Sequence, residues 1–520
     1  MAQQRERWGT KLGVVLAVAG SAVGLGNFLR FPVQAAQNGG GAFMIPYLVA
    51  LLLIGIPMMW VEWTAGRFGG GFGHSSAPGI FNALWKKNPA AKYIGVLGIL
   101  GPLIIYMYYV YIESWTLAYS FYAITGALGE ATAAGQLPSF LSGLQGLESN
   151  AWFTGFGAAF VFFLITFIIN ISITYHGIRG GIEKVCYVAL PALLIFGVLL
   201  VVRVLTLDAP DPAHPTWNPA NGMGFLWNPD FSALKSAKVW LAAAGQVFFT
   251  LSLGMGVILT YASYLRKSDD VPLSGLTAAS TNTFAEVILG GSIIIPAAFI
   301  FFGPVNIIDI AHSGAFNLGF VTMPAIFGQI PASWLFSFLW FFMLFLAGVT
   351  SSISLAQPLV GFLQDEFGMS RKKAVLSFGF VTFILCQPAV WFLGNGVMDD
   401  LDFWGANFFI VVGATIEIII VAWVFGVNRT WNEMHIGSQL RVPAIFKFII
   451  RFVTPVFLLG ILGFWFFEDW IPFITMADVA PENVPYILGI RLLILLMMII
   501  LGVMVAIAWR RKRRLSGSEV

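Results

Sequence analysis

Gly20-Ser21-Ala22-Val23-Gly24-Leu25-Gly26-Asn27 lies in the middle of an apolar run over residues 11–36. Each glycine weakens a helix by about 1 kcal/mol relative to alanine. A second such stretch, Thr250-Leu251-Ser252-Leu253-Gly254-Met255-Gly256, interrupts the run at 239–265. In hydrocarbon, loosened backbone is tolerated only where protein or a polar cavity satisfies its N–H and C=O groups. Close helix packing by small residues is the competing explanation for either stretch alone. Two breaks in equivalent places point instead to a binding site between broken helices.

Composition supports reading these runs as membrane spans. Of 520 residues, 58% are hydrophobic and 10% charged, against about 25% charged in soluble domains. The solvent for such a surface is lipid, and no nucleic-acid partner is expected. Cys186 and Cys386 fall in apolar runs and read as small buried hydrophobes. The histidines lack ligand-like spacing. The first apolar run lacks the marks of a cleavable signal peptide.

A helix needs roughly 20 apolar residues to cross the hydrocarbon core. Twelve runs qualify, near 11–36, 41–66, 93–124, 152–176, 182–206, 239–265, 271–302, 334–364, 373–395, 399–426, 445–467 and 484–509. Lysine and arginine collect on the cytoplasmic side. Here they mark the N-terminus, alternate loops (Arg67, Lys86, Lys87, Lys92; Arg179, Lys184; Arg266, Lys267; Arg371, Lys372, Lys373; Arg429, Arg441) and the tail from Arg510 to Arg514, with Lys235 and Lys238 as exceptions. That alternation predicts both termini in the cytoplasm of a cell whose plasma (inner) membrane holds the protein. The predicted organisation is a cytoplasmic segment at 1–10, five helices over 11–206, a proline-rich external loop at 207–238, five more helices over 239–426, two peripheral helices over 427–509, and a basic cytoplasmic tail at 510–520. Residues 125–150 read as an external loop.

A half-helix that starts in mid-membrane aims free N–H groups and a positive dipole end at its surroundings, while one that ends there offers carbonyl oxygens. A zwitterion can use both. Neutral oxygen donors such as Asn27, Thr250, Asn282, Thr350 and Ser351 suit a hard monovalent cation, though this argument does not exclude protons. Arg30, Glu62, Glu113, Glu286, Glu417 and Arg491 lie within spans. Each costs about 2.5–3.5 kcal/mol near a helix centre, so each needs a partner or a wet path. Internal pairing is the expectation for Glu113, Glu417 and Arg491, and an access path for Arg30.

The motifs Arg5-Glu6-Arg7-Trp8, Gly24-Leu25-Gly26-Asn27-Phe28-Leu29-Arg30-Phe31-Pro32, Asn38-Gly39-Gly40-Gly41-Ala42-Phe43, Tyr108-Tyr109, Gln246-Val247-Phe248-Phe249-Thr250-Leu251-Ser252 and Ala347-Gly348-Val349-Thr350-Ser351-Ser352 resemble those of the neurotransmitter:sodium symporter family, in particular its bacterial leucine-transporter branch. The likeness spans essentially the whole chain and is weakest at 125–150. The generalisation about paired interruptions was drawn partly from this family, so the two lines of argument overlap. The resemblance implies an all-α protein of two inverted five-helix repeats, with the first and sixth helices broken, plus two peripheral helices. The resemblance further implies a transporter, not an enzyme, that works by alternating access.

The resemblance also implies two Na+ ions. One would be held by the Ala22 and Thr250 carbonyls, the side chains of Asn27, Thr250 and Asn282, and the substrate carboxylate itself, which couples ion to substrate. The other would take the carbonyls of Gly20, Val23 and Ala347 with the Thr350 and Ser351 hydroxyls. Its loss would let the inner side open. The Leu25 and Gly26 amides and the Tyr109 hydroxyl would hold the substrate carboxylate. Carbonyls of Ala22, Phe249 and Thr250, with Ser252, would hold the ammonium. Ile105, Phe249, Met255, Ser351 and Leu355 would surround the side chain, with Phe249 as lid. Arg30 and Asp402 correspond to the outer gate; Arg5 and Asp365, near Trp8, Ser263 and Tyr264, correspond to the inner one. Glu62 would accept from amides freed in the sixth helix. Glu286 would stand where chloride-requiring members carry a small neutral residue, which implies chloride independence and leaves a proton-return role open.

The pocket wall departs from the leucine-transporting branch. Met255 replaces a phenylalanine and is flexible enough to admit other shapes, whereas Ile105 adds a methylene. One methylene is worth only about 1–3 kcal/mol of discrimination. The expected substrate is a small neutral hydrophobic amino acid such as leucine; larger aromatic amino acids and a non-transporting sensor are the alternatives. A passive pore would not need cation shells or gates. An intramembrane enzyme would need a nucleophile–base pair or metal cluster at depth, and His74, His176, His214, His312 and His435 lie in loops or at span ends. Association as a homodimer stays open.

Overall fold

The computed structural model describes residues 6–85, 88–209 and 212–515. Arg5, predicted for the inner gate, lies outside them. The described residues form helices and connections, and their one β-bridge joins Gly40 to Pro229.

Among the described residues, ten helices are long and apolar enough to cross a membrane, and each coincides with a predicted span. The span predicted at 11–36 is two helices, α1 (Lys11–Ala22) and α2 (Leu25–Gln37), bent by 47° at Val23 and Gly24. Then follow α3 (Gly41–Gly70), α4 (Leu97–Thr125), α5 (Gly157–Tyr175) and α6 (Ile178–Leu205). The span predicted at 239–265 is also two helices, α7 (Ala237–Thr250) and α8 (Val257–Ala262), separated by residues 251–256. The chain continues through α9 (Val271–Pro304), α10 (Ser333–Phe367), α11 (Arg371–Trp391), α12 (Val397–Met434), α13 (Ile445–Glu468) and α14 (Val484–Arg511). This is a twelve-span bundle with its first and sixth spans broken. A five-span unit returns the chain on the opposite side of the membrane. The second set of five is therefore inverted relative to the first.

Two connections carry more structure than expected. The 125–150 stretch contains short helices at Ala127–Ala133 and Leu137–Leu144. Between α9 and α10, Asn306–His312 and Ala315–Gly328 meet at 116°. Together they are long and apolar enough to span, but the bend makes them a re-entrant hairpin that folds back onto the bundle.

Each break is held open by identifiable contacts. Thr10 caps α1 by accepting from the Gly13 amide at 2.9 Å. The Asn27 side-chain oxygen, one turn into α2, accepts from the Gly24 amide at 2.8 Å, which fixes where that helix starts. In the second break, Glu62 on α3 accepts from the Gly254 amide at 2.7 Å, as the resemblance implies. Ser252 takes φ 55°, a left-handed conformation disfavoured for a residue with a side chain. Gly256 takes φ 72°, and a Cβ there would lie 2.3 Å from the Gly98 carbonyl oxygen of α4. Only glycine lets the start of α8 sit that close to α4.

Gly256→Ala is therefore expected to cost about 1–3 kcal/mol and to lower the melting temperature of the detergent-purified protein. Gly126 also has positive φ but open space around it. Gly126→Ala serves as the control and is expected to destabilise less, because it lacks the clash.

Candidate functional site

The two breaks face each other and enclose a buried cavity lined by Ser21, Ala22, Gly24, Gly26, Asn27, Ile105, Tyr109, Phe249, Thr250, Ser252, Met255, Ser351 and Leu355. Every residue predicted to touch substrate is in this lining except Leu25. The Leu25 amide nonetheless donates to the Tyr109 hydroxyl at 3.1 Å, so it points at the same place. The lining carries no charged side chain. Its polarity comes from helix ends: α1 and α7 finish here with carbonyls, and α2 begins here with amides. A Cβ on Gly26 would lie 2.3 Å from the Phe249 ring, so glycine brings the α2 amides directly beneath that ring.

Beside this cavity, Asn27, Thr250 and Asn282 form one cluster. Asn27 Nδ2 donates to Asn282 Oδ1 at 2.8 Å and to Thr250 Oγ1 at 3.2 Å. The same end of the Asn282 amide lies 3.0 Å from the Ala22 carbonyl oxygen and 3.3 Å from that of Thr250. With its nitrogen turned there, the amide would donate to both carbonyls. With its oxygen there, three neutral oxygens converge on one point, the donor set a hard monovalent cation needs. Across α1, Gly20 packs on α10: a Cβ there would lie 3.3 Å from Thr350 Cβ. Thr350 Oγ1 donates to the Ala347 carbonyl at 3.1 Å, and Ser351 Oγ to the Ser21 carbonyl at 3.2 Å. The two hydroxyls thus sit among carbonyls at the seam between α1 and α10, beside the Gly20–Val23 segment.

Glu286 is buried behind the first cluster. Tyr47 and Gln246 donate to its two oxygens, and it also interacts with the Thr250 hydroxyl. Two of the other buried charges, Glu113 and Arg491, find internal partners, as expected. Asn170 donates to both Glu113 oxygens at 3.0 and 3.1 Å and accepts from Ser352 at 2.7 Å. Arg491 pairs with Asp400 at 2.7 Å. Glu417 departs from the expectation: the charge it lies nearest is another carboxylate, Glu62, and its buried Oε1 has no hydrogen-bond partner among the described residues.

Above Phe249 is a second cavity, lined among others by Leu25, Leu29, Arg30, Tyr108, Ala315, Phe316 and Asp402. Phe249 and Gly26 line both chambers, and the Arg30 guanidinium lies 4.4 Å from the Phe249 ring centroid. The predicted outer pair does not meet directly: Arg30 donates to Asn407 Oδ1 at 3.3 Å, and Asn407 Nδ2 donates to Asp402 at 3.3 Å. Asp402 also accepts from Tyr108 at 2.7 Å. An amide bridges the pair because Asp402 is already engaged and Arg30 rests on the ring. On the opposite side, Asp365 accepts from the Ser75 amide and hydroxyl, Trp8 donates to the Tyr261 carbonyl at 3.0 Å, and Glu6 pairs with Arg371 at 3.1 Å. Ser263 and Tyr264 are buried nearby.

A family model for the sodium:neurotransmitter symporter family matches residues 5–136 and 145–512. The chain belongs to that family. It is a multi-pass membrane transporter whose activity is sodium-coupled symport. The chain is 32% identical to an uncharacterised sodium-dependent transporter of Methanocaldococcus jannaschii over 462 residues, covering 88% of this chain and 90% of that one. It is 30% identical to the uncharacterised sodium-dependent transporter YhdH of Bacillus subtilis, covering 89% and 99%. Among solved structures it resembles MhsT in complex with L-phenylalanine, with a TM-score of 0.75 and 31% identity over 88% of this chain and 99% of that one.

Asn407, Ser21, Tyr47, Gln246 and the hairpin residues Ala315 and Phe316 were not singled out from the sequence. Asn407 is the one most open to a functional assay. Asn407→Ala should uncouple Arg30 from Asp402 and loosen the outer chamber. Cys186 and Cys386 are buried, so a cysteine placed at Ala315 reports that chamber alone. Its alkylation rate is expected to rise several-fold in Asn407→Ala.

Proposed function

We propose that the symporter carries a small neutral hydrophobic amino acid together with two sodium ions, independently of chloride, from outside the cell to the cytoplasm. The supporting observation is an uncharged cavity with helix amides on one wall and helix carbonyls on the other. A zwitterion matches both walls, and a charged side chain would find no partner. The substrate carboxylate lies against Leu25, Gly26 and Tyr109. Its ammonium lies among the carbonyls of Ala22, Phe249 and Thr250, with Ser252.

One sodium ion sits where Ala22, Asn27, Thr250 and Asn282 offer oxygens and takes the substrate carboxylate as a further ligand. Neither then binds well without the other. The second occupies the seam of Gly20, Val23, Ala347, Thr350 and Ser351 and holds α1 against α10. When it leaves, the cytoplasmic half of α1 is free to swing. Arg30 and Asp402, through Asn407, close the outer side, and Asp365 belongs to the inner closure. Alternation of basic loops supports a cytoplasmic position for both termini.

Glu286 supplies beside the first site the negative charge that an anion would otherwise bring. Leucine is the first choice of substrate. An aromatic amino acid is the second reading, favoured by flexible Met255 in the wall and by L-phenylalanine in the related MhsT structure.

Purified protein is expected to bind radiolabelled leucine in sodium and not in potassium; binding indifferent to sodium would overturn the proposal. Displacement of leucine by excess tryptophan would move the substrate to the second reading and leave the mechanism intact. Asn282→Ala, which removes one oxygen ligand worth about 1.5–3 kcal/mol, should raise the half-saturating sodium concentration at least tenfold. Replacing chloride with gluconate should change nothing in the native protein and should cripple uptake in Glu286→Ser. Equal chloride sensitivity in both would remove Glu286 from the ion balance.

A further inference from the structure

Away from the transport path, a cavity of about 560 Å³ opens between α12 and α13 at the end where the basic loops gather. The helix α12 changes course there. A wide π turn over Ile420–Gly426 ends at Gly426, with φ 98° and ψ 131°, and Val427–Met434 starts without a side-chain cap. Trp423, Asn428 and Arg429 from α12 line the cavity with Arg451 and Phe452 from α13. The Trp423 indole donates to the Arg451 carbonyl at 2.7 Å, pinning the two helices together at this point.

The arginines are the unusual feature. Elsewhere in the bundle Arg67 pairs with Glu433, Arg371 with Glu6 and Arg491 with Asp400. Among the described residues, no ion pair or side-chain hydrogen bond is made by the guanidinium of Arg429 or Arg451. Arg451 lies over the Phe452 ring at 5.0 Å. It stands in the second turn of α13, near the end of a helix long and apolar enough to cross the membrane, and it is exposed there, within reach of the membrane interface. The first amides of Val427–Met434, free of intrahelical partners, belong to residues lining the same cavity. Two guanidinium groups and a helix start therefore converge on one place with no protein anion to meet them.

What completes such a site is set by the surface it adjoins. Beyond Arg451, Phe448, Phe452, Val456 and Leu459 lie at 54%, 45%, 63% and 44% exposure. Their spacing of four, four and three residues puts them on one face of the helix. This is an apolar track running from the basic cavity along the hydrocarbon. The track faces the hydrocarbon as other spans do, so lipid already lies against it, and the anion nearest to the basic cavity is the headgroup of such a lipid.

We propose that this cavity binds the headgroup of an anionic phospholipid of the cytoplasmic leaflet. Arg429 and Arg451 hold its phosphate, and its acyl chains lie along the exposed face of α13. The leaflet rests on the orientation proposed above; the binding itself does not depend on the transport reading. Basic pockets between spans on this side are a recognised form of lipid recognition.

The test uses the full chain in nanodiscs of phosphatidylcholine with increasing phosphatidylglycerol, followed by thermal unfolding, and native mass spectrometry from mild detergent. Phosphatidylglycerol should raise the melting temperature saturably, and it should be retained over phosphatidylcholine by about tenfold or more. Arg429→Gln with Arg451→Gln should abolish that preference while sodium-dependent leucine binding persists. Equal retention of both lipids by the native protein would overturn the proposal, as would an unchanged preference in the double variant. Soluble glycerol phosphate that produces the same stabilisation would also overturn it, by making the site one for a free anion. If the double variant does not fold, the native comparison of the two lipids and the soluble phosphate decides alone.

Discussion

A backbone amide or carbonyl in hydrocarbon must have a partner, and the central part of this protein is arranged around the two places where a helix cannot supply one. At the first break, Asn27 takes the Gly24 amide and Tyr109 meets that of Leu25. At the second, Glu62 takes the Gly254 amide. These partners come from α2 itself, α4 and α3. The groups left over face the cavity between the breaks. The helices that satisfy the backbone are thus also those that enclose the proposed binding site, and stability and site geometry share the same contacts.

The charge distribution follows from this arrangement. The inner chamber is neutral because dipole ends supply its polarity without ionised side chains. Arg30 and Asp402 lie above it, Asp365 lies on the far side, and Glu286 lies behind it with Tyr47 and Gln246 as donors. A neutral chamber between charged ends can release what it binds, since no fixed opposite charge traps an ion or zwitterion at its centre.

Much of this was legible in the sequence. All twelve spans could be placed, because residues facing lipid and residues facing other helices are alike apolar, which makes span length readable. The two breaks were visible as glycine and small polar residues inside long runs. The residues brought to the cavity were named largely through resemblance, since periodicity alone does not tell which face of α4 carries Ile105 and Tyr109. The hairpin at Asn306–Gly328 was missed: each of its apolar segments alone is too short to span, and its turn at Ser313 and Gly314 resembles any loop. Asn407 was missed because α12 is π-helical over Phe403–Phe409. The wider turn puts residues five apart in line, so Asn407 reaches back to Asp402 in a way 3.6-residue periodicity does not suggest.

Phe249 separates the two chambers together with Gly26 and Tyr109, which also line both, and its ring, between Gly26 and Arg30, is the movable part of that partition. This has a bearing on time. Side-chain rotamer changes take picoseconds to nanoseconds when unhindered, while collective helix movements take microseconds to milliseconds. A partition whose movable part is one ring can equilibrate many times within a single rearrangement of the bundle. On the proposed mechanism, closure over the substrate is a rapid pre-equilibrium, and the clock of the cycle is set by the slow parting of α1 from α10.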